Sequence, residues 1–142
     1  MKVAVVYDSW TGNTEGIARY ISGFFGCDIF KVEQAPSDLS SYEVLFLGSP
    51  NIRSGPTQKI DEFIQKASLP RKILIFITYG APLWGKISSA KCLKHIKGRL
   101  AAHTFLPSFI CPGYHKKFKT YKNRPSSKDI RRLEAFLQRI SI

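Results

Sequence analysis

The chain has little cysteine and no long hydrophobic run. Its 142 residues include three cysteines, and none of them forms a CxxC pair. A sparse, odd-numbered set argues against a disulfide scaffold and indicates reduced thiols, so redox chemistry here would need a cofactor. The longest apolar runs, such as Ile73 to Ile77, fall far short of the ~20 residues that cross a bilayer. No leader-like segment precedes Val3, and we therefore expect a cytoplasmic protein.

Acidic residues are scarce in the second half of the chain. Residues 1–70 carry 6 Lys/Arg and 8 Asp/Glu, a net charge of −2, whereas residues 71–142 carry 16 Lys/Arg and 2 Asp/Glu, a net charge of +14. The two halves sum to the +12 of the whole chain. Such a field favours an anionic partner, which could be an acidic protein, a nucleic acid or an anionic membrane surface.

Five short apolar runs predict β-strands. Several are continuously apolar rather than alternating, which is typical of strands buried on both faces of a parallel sheet. The predicted strands are Lys2 to Tyr7, Ile29 to Val32, Val44 to Leu47, Ile73 to Ile77 and Thr104 to Ile110.

Helical periods separate most of these strands. Apolar residues recur at helical spacing over Ile17 to Phe25, Ile60 to Ala67 and Ala90 to Ile96, and Ser126 followed by Asp129 predicts the start of a last helix. The second and third strands are separated by a short helix at most. With right-handed crossovers this order gives an α/β three-layer sandwich, in which helices cover both faces of a five-stranded parallel sheet. We expect residues 1–142 to form a single domain that binds its ligand beyond the carboxyl ends of strands 1, 3 and 4.

The loop after the first strand is rich in groups that bind an anion. It reads Ser9-Trp10-Thr11-Gly12-Asn13-Thr14 and runs directly into a helix, whose first N–H groups and dipole favour negative charge. The patterns GxxxxGK[ST] and GxGxxG, which mark nucleoside triphosphate and dinucleotide sites, are both absent. A phosphate monoester fits this loop best, and the alternative is an ordinary N-cap loop.

The pattern Ser9-x-Thr11-Gly12-Asn13-Thr14 after a buried strand resembles the FMN phosphate loop of the flavodoxin family. The segment Gly48 to Pro56 is similar to the second flavin loop of that family, especially in the flavodoxin modules of flavodiiron proteins. A third flavin loop would be Thr78-Tyr79-Gly80, with Trp84 shortly after it. The resemblance implies a flavodoxin-like sheet in the order 2-1-3-4-5 with FMN at its switch point.

The resemblance also implies a set of cofactor-binding residues. The first loop, residues 9–14, would hold the phosphate through the hydroxyls of Ser9, Thr11 and Thr14 and through its N–H groups, while the second and third loops would hold the ring. The ring-binding residues would be Ser49, Pro50, Asn51, Ile52, Arg53, Ser54, Gly55, Thr78, Tyr79, Gly80 and Trp84. No catalytic residue and no metal ligand is expected.

Two positions depart from the usual flavodoxin pattern. Ile52 stands where many flavodoxins have an aromatic residue against the ring, so stacking would fall to Tyr79 or Trp84. Arg53 stands where many relatives have a small residue, often glycine. Together with the basic second half, Arg53 predicts that the flavin hydroquinone is easier to reach than in acidic relatives, and a redox titration measures this.

Two further patterns have alternative interpretations. Cys92-x2-His95 and Cys111-x3-His115 could supply four zinc ligands, but Cys92 lies on the apolar side of its helix, and buried thiols are the commoner outcome. The run from Tyr114 to Arg124 interleaves aromatic and cationic residues, a composition that suits a solvated basic loop, the docking of an acidic redox partner or, less well, nucleic acid.

The function that the resemblance implies is electron transfer by bound FMN between redox partner proteins, with acidic docking surfaces expected on the partners. Peripheral contact with an anionic membrane is a further possibility. One alternative is a small FMN oxidoreductase, such as a quinone reductase or a relative of the flavodoxin-type protoporphyrinogen oxidase. Another is a scaffold of the same fold that has lost FMN and binds an anionic partner through its basic half.

Overall fold

A computed structural model describes residues 2–115, 119–121 and 123–142. In this part of the chain the strands of one parallel sheet alternate with helices. The strands are β1 (Val3–Tyr7), β2 (Asp28–Lys31), β3 (Val44–Pro50), β4 (Lys72–Tyr79), β5 (Thr104–Phe105) and β6 (Phe109–Pro112). The helices are α1 (Asn13–Phe25), α2 (Gln58–Lys66), α3 (Gly85–Arg99) and α4 (Ser127–Arg139), and a three-residue 3-10 turn covers Val32–Gln34.

The sheet has the order β2-β1-β3-β4-β5 and every pairing in it is parallel. This confirms the predicted α/β architecture and strand order. The chain crosses from β1 outward to β2 and then back to β3, so the order reverses between β1 and β3. At that point the backbone N–H of Asp8 donates to the carbonyl of Gly48 at 3.1 Å, which joins the carboxyl ends of the two strands.

The prediction of a single strand over Thr104 to Ile110 is wrong. The segment forms two short strands, and both pair with β4: β5 pairs at the start of β4 through Thr104 and Lys72, and β6 pairs near its end through Phe109 and Phe76. Pro107 lies between them and has no backbone N–H to donate to a neighbouring strand, which accounts for the interruption.

Two apolar layers lie on opposite faces of the sheet. Residues of α1 and α4, such as Ile17 and Leu133, pack with Val5 and Phe46 on one face. Ile60 of α2 and residues of α3 pack with the alternate strand residues on the other face. Because both faces are covered, β1, β3 and β4 are buried along almost their whole length, as their continuous apolar runs predict.

The helix boundaries follow from local chemistry. Gly12, at φ 89°, turns the chain into α1 with a left-handed conformation that favours glycine. The side chain of Thr57 caps α2 by accepting from the N–H of Ile60. At α4, Asp129 accepts from the backbone N–H of Ser126 at 2.8 Å, which confirms the predicted acidic N-terminal turn. None of the described helices is long and apolar enough to cross a membrane.

Candidate functional site

The carboxyl ends of β1, β3 and β4 open onto one cavity of about 280 Å³ at the point where the strand order reverses. Its walls come from all three loops that the sequence singles out, and from a fourth segment that follows β6. The lining residues are Trp10, Thr11, Asn13, Thr14, Pro50, Asn51, Ile52, Thr78, Tyr79, Gly80, Tyr114 and His115. None of these residues is Lys, Arg, Asp or Glu, so the cavity presents hydroxyls, amides and rings.

The first loop folds around the hydroxyl of Ser9. This oxygen accepts from the N–H of Gly12 at 3.1 Å and from the N–H of Glu15 at 3.2 Å, so it satisfies one of the open donors at the start of α1. The N–H groups of Asn13 and Thr14 lie in the same first turn, where a helix supplies no acceptor of its own. The beginning of α1 therefore has the donors and the dipole that favour an anion.

Two side-chain contacts hold the first loop in place. The buried hydroxyls of Thr14 and Thr78 lie 2.8 Å apart and join the first loop to the end of β4. The amide nitrogen of Asn13 donates to the hydroxyl of Thr11 and to the carbonyl of Tyr114, both at 3.0 Å. The polar groups that form one wall are thus fixed before any ligand binds.

The second loop ends in a tight hairpin turn. Ile52 and Gly55 exchange two backbone hydrogen bonds, of 2.7 and 3.0 Å, across Arg53 and Ser54. Both central residues have positive φ, 49° for Arg53 and 67° for Ser54, which is the geometry of a type I′ turn and normally selects Asn or Gly. Arg53 is exposed at the turn and does not line the cavity. Two non-glycine residues in the left-handed region cost about 1–2 kcal/mol each.

The second loop is also tied to α3. The hydroxyl of Ser54 lies 2.8 Å from that of Ser88, and the amide nitrogen of Asn51 donates to Ser88 at 2.8 Å. Ser49 is buried and its hydroxyl accepts from the N–H of Thr57 at 3.1 Å, so it supports the loop from beneath. Ser49, Ser54 and Gly55 therefore shape this wall without lining it.

Two buried side-chain oxygens, on Asp8 and Asn51, accept no hydrogen bond from the described residues, and of the two it is Asn51 that lines the cavity. A buried acceptor without a donor costs about 1–3 kcal/mol. Because Asn51 lines the cavity, a bound group with an N–H or O–H at this position would satisfy the acceptor.

Sequence reasoning missed the fourth wall, which Tyr114 and His115 form. His115 lies directly on the third loop: a Cβ added to Gly80 would come within 2.5 Å of the His115 Cβ. Gly113 likewise allows the close approach of Asn13, whose amide would lie 2.5 Å from an added Cβ. Gly80 and Gly113 were the sequence signal for this wall, because each permits a close contact between segments that are distant in the sequence.

Tyr79 and Trp84 have different surroundings. Tyr79 is buried, its burial raises its pKa above the ordinary value, and it packs edge-on against Tyr121 at 5.6 Å between ring centres. Trp84 precedes α3, is 52% exposed and does not line the cavity. Gly85 packs closely on the Tyr79 ring, 2.4 Å from an added Cβ, so Tyr79 lies between the start of α3 and the cavity.

The two cysteine and histidine pairs do not come together. Cys92 is buried with the α2 and α3 layer, whereas Cys111 is buried with the α1 and α4 layer on the other face of the sheet. Burial raises the pKa of Cys92 to about 12 and that of Cys111 to about 11, so both thiols stay protonated. His95 contacts Asp61 of α2 at 3.0 Å. In the basic run, residues 116–118 and 122 lie outside the described residues.

The sequence profile of the family described as the flavodoxin domain matches residues 4–140. The chain belongs to the flavodoxin domain family. This confirms the resemblance drawn from the three loops, and the match takes in every residue that lines the cavity of this flavodoxin-family protein.

Individual proteins show the same likeness. An uncharacterised protein of Methanocaldococcus jannaschii is 29% identical, and the alignment covers 99% of this chain and 98% of that protein. A flavodoxin from the domain Archaea is 21% identical with a TM-score of 0.67, over 95% of this chain and 92% of the other. A flavoprotein of Lactobacillus acidophilus, solved in complex with FMN, is 13% identical with a TM-score of 0.60, over 77% of this chain and 92% of the other. At these identities the two solved structures share the fold.

Proposed function

We propose that this flavodoxin-family protein binds FMN in the cavity at the ends of β1, β3 and β4, and carries electrons between partner proteins. The first loop would hold the phosphate, through the hydroxyl of Thr11 and the N–H groups at the start of α1. Asn51, Ile52 and Tyr79 would hold the ring. Membership of the flavodoxin domain family and the FMN complex of a protein with the same fold support this proposal.

One observation carries the proposal: Asn51, whose buried side-chain oxygen accepts no hydrogen bond from the described residues, lines the same cavity as Asn13 and Thr14 in the open first turn of α1. A single ligand that fits both features needs a hydrogen-bond donor at one end and an anion at the other. FMN has both, because its ring and ribityl chain carry donors and its phosphate is a dianion.

The chain's own residues determine binding and environment. Flavin supplies the electron-transfer chemistry when bound, and the protein sets its orientation and surroundings. The Thr14 and Thr78 pair keeps the first and third loops together, which fixes the distance between the anion site and the ring site. Tyr79 and Ile52 give the ring site an apolar surface that lowers the local dielectric and strengthens its polar contacts.

The test compares FMN with riboflavin, which lacks the phosphate. Two charge-assisted hydrogen bonds of about 1.5 kcal/mol each predict that FMN binds about 100-fold more tightly than riboflavin. Flavin fluorescence quenching measures both dissociation constants. Thr11→Val should weaken FMN binding about tenfold and leave riboflavin binding unchanged. Thr104→Val, at another exposed threonine, in β5, is the matched control and should change neither dissociation constant.

Three outcomes separate the alternatives. FMN binding with fast reduction only through a partner protein supports the carrier. Saturable turnover of a quinone or a porphyrinogen would support an FMN oxidoreductase instead. Equal and weak binding of both flavins would refute the phosphate site and leave the FMN-free scaffold as the better account.

A further inference from the structure

A second, larger concavity lies beside the cofactor cavity. It measures about 800 Å³ and runs between β6 and the first turns of α3 and α4. Its charged lining residues are Lys86, Arg124, Lys128, Asp129 and Arg132. We call it the cationic groove.

The charges of the groove are of two kinds. Asp129 is 1% exposed and is bound by both nitrogens of the Arg124 fork, so these two charges neutralise each other. Lys86 and Lys128 are exposed and make no hydrogen bond or ion pair with another described residue. Arg132 donates to the carbonyl of Ile110 at 2.8 Å and also lies 4.0 Å from the Asp129 carboxylate, which two arginines therefore share. The groove thus holds four cations against one carboxylate, a net charge of +3.

Tyr79 joins the groove to the cofactor cavity, because its side chain lines both. A partner seated in the groove would thus lie one aromatic ring away from the proposed flavin site.

An apolar patch accompanies the cations. Leu83 is 94% exposed and Ile87 is 67% exposed, on either side of Lys86 at the start of α3. Protein–protein interfaces combine apolar side chains with charged and polar ones, and this surface offers both. Nucleic acid would instead need a longer row of cations for its phosphates than the described residues of the groove supply.

We propose that the cationic groove, with Leu83 and Ile87 at its margin, docks an acidic segment of an electron-transfer partner protein. This inference rests on the proposed electron-transfer function. Carboxylates of the partner would pair with Lys86, Lys128 and Arg132, while the apolar patch would be covered by apolar side chains. The attraction would speed encounter and weaken with added salt.

The test uses a fluorescently labelled, acidic plant-type [2Fe–2S] ferredoxin as the probe. Its dissociation constant is measured by fluorescence anisotropy at several salt concentrations, with and without FMN. The double variant Lys86→Glu and Lys128→Glu is compared with Arg71→Glu and Lys72→Glu, exposed cations at the opposite, amino-terminal edge of the sheet. Each substitution of Lys or Arg by Glu lowers the charge by two, so both double variants lower the net charge from +12 to +8.

We expect the groove variant to bind the ferredoxin about tenfold more weakly and with a shallower salt dependence, and the edge variant to bind within about twofold of the wild type. Equal weakening in both variants would overturn the proposal, because net charge alone would then explain the binding. Tighter binding of a labelled dT oligonucleotide through the same two lysines would also overturn it, in favour of nucleic acid.

Two measurements distinguish failure of the proposed FMN-binding function from failure of the docking surface. FMN titration reports on the cofactor cavity, and anisotropy of the FMN-free protein reports on the groove. If FMN does not bind but the groove variant still loses the ferredoxin, the electron-transfer role fails while the docking surface stands. If FMN binds and neither double variant affects the ferredoxin, the docking surface fails alone.

Discussion

Replacing Asp129 should weaken both the fold and the cofactor cavity. Its carboxylate is buried and accepts from both nitrogens of the Arg124 fork, one of them at 2.6 Å, and from the backbone of Ser126 at 2.8 Å. The carbonyl of Arg124 in turn accepts from the N–H of Tyr114 at 3.0 Å. Asp129 therefore holds the segment that carries Tyr114 and His115 into the cavity wall.

Asp129→Asn keeps the volume but removes the charge from these hydrogen bonds. Charge-assisted hydrogen bonds contribute about 1.5–3 kcal/mol each. The Arg124 side chain is 33% exposed, so water replaces part of the loss. We expect the free energy of unfolding to fall by about 2–3 kcal/mol, after that partial replacement. This corresponds to a melting temperature lower by about 6–12 °C.

Urea denaturation followed by circular dichroism measures the change in stability, and flavin quenching measures the change in FMN affinity. Glu134→Gln is the control, because this exposed acid of the same helix makes one exposed hydrogen bond among the described residues, with Tyr20, and the substitution should cost less than about 1 kcal/mol. If Asp129→Asn changed the free energy of unfolding by less than about 0.5 kcal/mol, within the range of ordinary surface substitutions, the structural role assigned to this pair would be refuted.

The remaining predictions concern pH, the first loop and the docking surface. Burial alone would raise the pKa of Asp129, but its hydrogen bonds from Arg124 and Ser126 outweigh that effect and lower the pKa. The stabilisation that the Arg124–Asp129 pair contributes is therefore fully present above the unfolded-state pKa of about 3.9 and is lost as the pH falls below it. The Asp129→Asn variant should therefore lose less stability on acidification than the wild type. Gly12→Ala meets open space but forces φ 89° on alanine, and should lower stability by about 1–2 kcal/mol in urea melts and weaken FMN binding. Leu83→Ser should weaken ferredoxin binding in anisotropy without changing its salt dependence or the melting temperature, since Leu83 is 94% exposed; an altered salt dependence would contradict its apolar role.

The central strands could be predicted because their signals are local, whereas the order of the sheet followed from the resemblance of the loops to those of flavodoxins. The continuous apolar runs of β1, β3 and β4 require burial on both faces, and this alone selects a parallel sheet between two helical layers. The strand predicted over Thr104 to Ile110 at the edge of the sheet was wrong, because Pro107 interrupts it although the hydrophobic pattern continues. The N-terminal turn of α4 was also predictable, because Ser126 and Asp129 make their contacts within one helical turn.

The three loops that the sequence singles out all line the cavity, but the fourth wall was not predictable. The first loop is a continuous segment whose residue types and helix start give its chemistry. Tyr114 reaches the cavity through the hydrogen bond from Asn13 to its carbonyl, which spans 101 residues, and no periodicity encodes such a contact. Trp84 shows the converse, because it follows the third loop in the sequence, yet the ring that lines the cavity is that of Tyr79, on which Gly85 packs.

A crystal structure of the protein grown with FMN tests the central claim most directly. The account predicts the phosphate within hydrogen-bond distance of the N–H groups of Asn13 and Thr14, and a donor of the flavin on the side-chain oxygen of Asn51. A cavity filled by Trp10 or His115, or FMN bound elsewhere on the molecule, would contradict it.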